Sequence, residues 1–321
     1  MNSRIPGIHH ITAIAGDPQT NIDFYAGTLG LRLVKLTVNF DDPGTYHLYY
    51  GDGAGSPGTI MTFFPWPGSP RGKLGAGQVT ATAFAIPRDS VGYWVERLAE
   101  NGVAAEKPMT RFGEEVIALV DPDGLPLELV AGETPPAVSI WENSPTAPEH
   151  ALRGFHGVTL TEQDGNPTGK LLGETMGFEA EQEENGRVRY RADNNVPGAV
   201  VDVVSAPGTP VGRVAVGTIH HIAWRTADDA AQLEWHKTLT DKAFNVSPVM
   251  DRIYFHSIYF REPGGVLFEI ATDPPGFLID EPIEQLGASL KLPPWLEAQR
   301  GQIEGIVTPV RLPAAEGKLA P

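Results

Sequence analysis

The feature that most constrains this chain is a pattern that occurs more than once. Gly7-Ile8-His9-His10-Ile11-Thr12 near the start is echoed by Thr218-Ile219-His220-His221-Ile222-Ala223 in the second half. In each copy an aspartate, Asp17 or Asp228, stands seven residues after the second histidine, and an aromatic residue, Phe24 or Trp235, stands seven residues beyond that. Agreement in two separate features marks a duplication. Two fainter copies lie between. Gln78-Val79-Thr80-Ala81-Thr82 leads to Asp89 and Val91-Gly92-Tyr93-Trp94-Val95, and Gly154-Phe155-His156-Gly157-Val158-Thr159-Leu160 leads to Asp164 and Lys170-Leu171-Leu172.

Periodicity gives each unit its internal order. Ile8, His10, Thr12 and Ile14 alternate with His9, Ile11 and Ala13, as strand residues do. Asp17 suits a helix N-cap with Pro18 at the first helical position. Ile22, Tyr25, Ala26 and Leu29 then fall on one helical face, as do Val91, Trp94, Val95 and Leu98 in the second unit, and Gly30 suits a helix end. Short strand-like runs with Gly-rich turns follow, so each unit reads strand–helix–strand–strand–strand. The Pro-rich stretch after residue 132 lacks periodicity and reads as a linker. The expected domains are 1–135, with units one and two, and 151–275, with units three and four. A linker at 136–150 joins them, and a tail at 276–321 is expected to pack over both, covering Trp295 and Leu296.

Composition removes several function classes. At 321 residues the chain suits two domains. It has no cysteine, which excludes disulfides, thiolate nucleophiles and Cys-based metal sites and leaves His and carboxylates as ligands. The net charge of −16, without a Lys/Arg cluster, argues against nucleic acid. No apolar run is long enough for a membrane span and no signal peptide is evident, so a cytoplasmic location is expected. The oligomeric state stays open, a homo-oligomer included.

Superposing the units picks out two columns. The second-histidine position reads His10, Thr82, Gly157, His221. Four residues after a glycine in the last strand, the other column reads Thr62, Glu128, Asp202, Glu269. Only the fourth unit combines His with Glu, and the first adds His10. Two imidazoles and one carboxylate form the facial triad of non-haem Fe(II) oxygenases, which leaves positions open for substrate and O₂. Units one and four must then be spatial neighbours. Units two and three would pair around a set too poor in ligands to hold iron. A salt bridge would satisfy Glu269 as well as a metal would, and that simpler solution is expected for Glu128.

The motif Gly7-Ile8-His9-His10-Ile11-Thr12 with Asp17, Phe24-Tyr25 and Leu29-Gly30-Leu31 resembles the vicinal oxygen chelate superfamily of glyoxalases, bleomycin-resistance proteins and extradiol dioxygenases. With the tail Pro293-Pro294-Trp295-Leu296-Glu297, Arg300 and Ile303-Glu304, it is most similar to hydroquinone ring-cleaving dioxygenases. The resemblance implies an α+β fold of four βαβββ modules in two domains with curved mixed sheets. It also implies an Fe(II) site at His10, His221 and Glu269, with Mn(II), Zn(II) or Ni(II) as other occupants, and a small aromatic substrate with O₂. It carries Thr12, His220, Arg252 and Tyr259 over as residues around the metal, with His9 beside them. Arg252 or Tyr259 would hold a substrate oxygen that stays off the metal, and His220 would move protons. Strand alternation puts Thr12 on the His10 face but His9 and His220 on the opposite faces, unless a bulge re-aims them. Two rivals stand beside this reading. A glyoxalase-like isomerase or lyase would want a second carboxylate where Thr62 stands, and a metal-free binding protein would have no reason to fill both columns.

Overall fold

The computed structural model describes residues 4–132, 139–192 and 196–312. Asp17 accepts from the Thr20 backbone N–H at 2.8 Å and starts helix α1 (Pro18–Ile22), in which Pro18 has no N–H to lose. The helix then widens into a π-helical turn, Asp23–Thr28, before Gly30 turns the chain at φ +74°. Ile22, Tyr25, Ala26 and Leu29 are all buried, so the apolar face holds through the wider turn. The third module repeats this with α3 (Asn166–Lys170) and a π turn, Leu171–Met176. The second and fourth carry regular helices, α2 (Val91–Glu100) and α4 (Asp229–Asp241), the latter capped by Asp228 onto Ala231. Val95, expected on the buried face of α2, is instead exposed.

Each helix follows one strand and precedes three. Module one has β1 (Ile8–Ala15), β2 (Arg32–Asn39), β3 (Asp42–Gly51) and β4 (Ile60–Pro65). Module two has β5 (Gln78–Pro87), β6 (Met109–Arg111), β7 (Glu114–Val120) and β8 (Pro126–Gly132). Module three has β9 (Phe155–Glu162), β10 (Glu179–Glu184), β11 (Arg187–Arg191) and β12 (Val200–Ser205). Module four has β13 (Thr218–Thr226), β14 (Met250–Asp251), β15 (Phe255–Arg261) and β16 (Leu267–Pro275). The fold is α+β, four βαβββ modules in two curved mixed sheets.

The sheet order places the site. One sheet runs β14-β15-β16-β13-β1-β4-β3-β2, so modules one and four share it, and the other, β10-β11-β12-β9-β5-β8-β7-β6, joins modules two and three. Each sheet therefore takes one module from either half of the chain. The opening strands meet at each centre, β1 antiparallel to β13 and β5 antiparallel to β9. Their inner faces carry the apolar core, with Ile11, Ile222, Trp224 and Phe268 fully buried under the first sheet.

Residues 133–138, where the expected linker begins, lie outside the described residues, and 139–150 form neither helix nor strand. Ser139 and Asp52 pin that stretch to the β3–β4 turn, and Ser144 donates to the Gly30 carbonyl at 2.8 Å. The tail is anchored by Lys35, fully buried on β2, which pairs with Glu281 and, at 2.6 Å, with Asp280. Its last helix among the described residues is α5 (Arg300–Ile306). Leu296 is buried there, but Trp295, expected to be covered, stays 54% exposed with its ring edge on Phe40. Among the described residues, no helix is long and apolar enough to cross a membrane.

Candidate metal centre

Register brings the two ligand columns together. Glu269 lies beside Ala223 on the parallel β13–β16 pair, and Thr12 lies opposite His221 on the β1–β13 pair. The His221 Nε2 is 3.0 Å from Glu269 Oε2 and 3.4 Å from His10 Nε2, and His10 Nε2 is 3.5 Å from the same carboxylate oxygen. Among the described residues, these form the one group of three His, Asp, Glu or Cys side chains whose ligand atoms all lie within 4.8 Å of one another. All three are buried, and Glu269 has no exposure at all.

The β1–β13 seam contains two bulges, and they decide where the leading histidines go. Ile8 pairs with Trp224 and His10 with Ala223, which leaves His9 as the extra residue on β1. Thr12 pairs with His221 and Ala13 with Ile219, which leaves His220 as the extra residue on β13. A bulge re-aims the side chain it carries, so strict alternation fails at both. The His9 Nδ1 stands 2.9 Å from His10 Nδ1, and the His220 Nδ1 stands 2.7 Å from His221 Nδ1. The outer nitrogens of His10 and His221 are thus each fixed by the preceding histidine, while their Nε2 atoms point at the carboxylate. His220 also lines the adjoining cavity; His9 does not, and packs against Phe255 instead.

Burial favours the uncharged form of His9, His220 and His221. Burial lowers the pKa of His9 and His221, and it pushes His220 down to about 3 with the neighbouring His221 adding to the effect. Burial alone would raise Glu269, but the adjacent imidazoles of His10 and His221 hold it well below the ordinary carboxylate range. Ser257 donates to Glu269 Oε1 at 2.5 Å, whereas Oε2 receives no hydrogen bond. A fully buried carboxylate oxygen with nothing donating to it is costly unless a cation sits there.

The cavity beside the triad has a volume of about 430 Å³. Phe40, Phe64, Trp66, Phe255 and Leu267 give it aromatic and apolar walls, and Arg252 and Tyr259 line it with His220. Tyr259 pairs with Glu269 across adjacent strands, and burial raises its phenol above the usual range, so it stays protonated. Arg252 lies over the Tyr259 ring, 5.8 Å from its centroid, and forms a 3.0 Å ion pair with Asp41 on the β2–β3 turn. Thr12 is buried behind this wall. Its hydroxyl meets Thr62 at 2.8 Å, Thr62 meets His47 Nε2 at 2.9 Å, and His47 Nδ1 meets the Tyr49 hydroxyl at 2.8 Å. His47 and Tyr49 line the cavity too, and neither was singled out in the sequence. The available signal was the repeat itself: His47-Leu48-Tyr49-Tyr50 aligns with Ser257-Ile258-Tyr259-Phe260.

The equivalent place in the other sheet is filled by protein cations. Arg111 clamps Glu128 with two bonds of 2.8 and 2.9 Å. Arg189 binds Asp202 at 2.8 and 3.0 Å and also reaches Glu114, and Arg187 touches Asp202 at 3.2 Å. Guanidiniums neutralise the two carboxylates of the ligand column there, which leaves no vacancy for a metal.

The sequence matches the Glyoxalase/Bleomycin resistance protein/Dioxygenase superfamily over residues 7–129 and 147–270. It is 49% identical over 306 residues to MhqO of Bacillus subtilis (strain 168), whose name describes a candidate ring-cleaving dioxygenase, across 95% of this chain and 96% of that one. It is 33% identical over 311 residues to a chlorohydroquinone/hydroquinone 1,2-dioxygenase of Sphingobium indicum, across 94% of this chain and 96% of that one. The crystal structure of a candidate dioxygenase from Bacillus subtilis subsp. subtilis str. 168 superposes with a TM-score of 0.92 at 48% identity, covering 96% of this chain and 98% of the other.

Proposed function

The chain belongs to the Glyoxalase/Bleomycin resistance protein/Dioxygenase superfamily, and from that membership we propose that it is an Fe(II)-dependent ring-cleaving dioxygenase acting on a hydroquinone or a related aromatic diol. The observation that carries the metal is Glu269 Oε2, fully buried, without a hydrogen-bond donor, and facing two imidazole Nε2 atoms. Ligands about 2.1 Å from one ion lie roughly 3 Å apart when adjacent on an octahedron. The separations of 3.0, 3.4 and 3.5 Å fit three such positions on one face. Divalent iron held there would supply the redox chemistry that couples O₂ to an electron-rich ring.

The chain's own residues do the rest. His9 and His220 orient the ligand imidazoles through their outer nitrogens, and Ser257 orients Glu269, as partners of metal ligands generally do. Tyr259, its phenol protonated, pairs with Glu269 and Arg252 lies over its ring, so the two line the cavity where they would stabilise negative charge on a substrate oxygen. His220, neutral and in the cavity wall, presents a hydrogen-bonding nitrogen to the substrate, and burial makes it a weak base that would hold a proton only transiently. The aromatic walls accept a flat ring and keep water out. A glyoxalase-like isomerase would need a fourth protein ligand from module one, but Thr62 stands there with its hydroxyl engaged by Thr12 and His47.

The test is anaerobic loading with Fe(II) followed by oxygen-uptake measurement with hydroquinone, methylhydroquinone, catechol and chlorohydroquinones. Uptake with at least one diol is expected. No uptake with any of them, together with isomerase activity in the Ni(II)- or Zn(II)-loaded protein, would overturn the reading.

A further inference from the structure

Modules two and four place the same arginine differently. Arg111 ends β6 and stands 17 residues before Glu128, and Arg252 follows β14 and stands 17 residues before Glu269. Their surroundings match position by position. Met109 pairs with Val116 and Met250 with Ser257, while Ala118 pairs with Glu128 and Tyr259 with Glu269. Each arginine is followed by a residue in left-handed backbone, Phe112 at φ +50° and Ile253 at φ +67°. Arg111 and Arg252 are therefore counterparts, as Glu128 and Glu269 are. Arg111 closes on Glu128 with both terminal nitrogens, at 2.8 and 2.9 Å, and among the described residues it makes no other ion pair. The same bidentate clamp on Glu269 would supply the donor that Oε2 lacks and would compete with a metal ion for that oxygen.

Two differences hold Arg252 elsewhere. The first is steric. β15 lies between β14 and β16, so the residue paired with the carboxylate stands on the strand between it and the arginine. In module two that residue is Ala118, whose methyl group leaves the path to Glu128 open. In module four it is Tyr259, and the Arg252 guanidinium rests over its ring, 5.8 Å from the centroid. The second is a competing anion. Arg252 Nη2 meets Asp41 Oδ2 at 3.0 Å, and Asp41 lies in the short turn between β2 and β3. Strands β2 and β14 are the opposite ends of the eight-stranded sheet, so curvature brings this carboxylate to Arg252 from the far edge.

We propose that Asp41 and the Tyr259 ring are positioning groups that hold Arg252 off Glu269, so that this carboxylate stays open to a metal ion where its counterpart Glu128 is clamped shut. This rests on the metal-binding reading of the triad, and it gives the reason one sheet keeps a vacant site while the other fills its own.

The experiment removes the competing anion and the clamp in turn. Asp41→Asn keeps the size of the side chain and discards its charge. Its affinity for Mn(II), read by chelator competition, should fall by about two- to fivefold, the scale of one exposed ion pair. Arg252→Met removes the clamp, so in that background Asp41→Asn should leave the affinity unchanged. A direct pull of the Asp41 charge on the ion would instead persist in both backgrounds, because the Coulomb energies of separate charges add. In a crystal structure of metal-free Asp41→Asn/Tyr259→Ala protein, Arg252 should bond Glu269 as Arg111 bonds Glu128. No loss of affinity in Asp41→Asn, an equal loss in both backgrounds, or an Arg252 that stays clear of Glu269 in the double variant would each overturn the proposal. A wild type that binds no divalent metal would refute the metal centre instead, and the position of Arg252 in the metal-free double variant would still decide this inference.

Discussion

Glu269→Gln separates a metal ligand from a structural ion pair. The side chain is fully buried, accepts from Ser257, and directs its other oxygen at two imidazoles. Glutamine has the same shape, keeps an acceptor for Ser257 and removes the buried charge. In metal-free protein we therefore expect a cost of no more than about 1 kcal/mol, because glutamine keeps the Ser257 hydrogen bond and removes a buried charge. With metal the two proteins should part. At a free metal concentration one hundred times the wild-type Kd, binding adds about 2.7 kcal/mol of stability. Unfolding entropy of about 2.1 cal/mol/K per residue converts that to a rise of about 4 °C in Tm for a chain of this length. Even loss of an outer partner lowers metal affinity by 10–100-fold, and removal of the anionic ligand should reach at least about 100-fold. The variant would then gain only about 0.4 kcal/mol, less than about 1 °C. The assay is thermal unfolding followed by circular dichroism, with and without Fe(II) or Mn(II), under argon. A variant that keeps the full metal-induced shift would refute the ligand assignment. One that loses several kcal/mol without metal would show that Glu269 serves the fold.

Three further outcomes are expected. Ser257→Ala should weaken metal binding by 10–100-fold, read by chelator competition, while the metal-free Tm stays within a few degrees. Arg189→Met should cost about 3 kcal/mol in urea unfolding, since buried Asp202 then keeps only the 3.2 Å contact with Arg187, and metal content should not change. Glu162 is buried with neither carboxylate oxygen hydrogen-bonded, and burial, reinforced by the charge of Glu262, pushes its pKa up to about 8. The folded state therefore holds the proton that the unfolded chain releases above about pH 4.5, so stability falls as pH rises from there to about 8. Relative to wild type, Glu162→Gln should gain up to about 1.4 kcal/mol per pH unit across that window, measured by urea unfolding at several pH values. A pH-independent difference would contradict it.

Much of the fold could be read from the repeat, because one βαβββ unit recurs with its Asp cap and its column positions in place. The pairing of modules one and four also followed, since His10 can join His221 and Glu269 in no other arrangement. What stayed hidden depends on register between strands far apart in the chain. Alternation along a single strand put His9 and His220 on the wrong face, because the two bulges exist only in the β1–β13 pairing. The guanidiniums that fill the second sheet's site come from β6 and β11, strands whose partners the sequence does not specify. Trp295 was expected to be covered because it is large and apolar, yet it stays 54% exposed with its ring against Phe40. His47 and Tyr49 were legible in principle, from their alignment with Ser257 and Tyr259, but their column had no ligand to draw attention to it.

The most direct test of the central claim is the fate of dioxygen itself. Fe(II)-loaded protein given methylhydroquinone and isotopically heavy O₂ should consume one O₂ per substrate and yield a ring-opened product that carries both heavy oxygen atoms by mass spectrometry. A product without label, or a quinone formed with the ring intact, would contradict ring cleavage by this site.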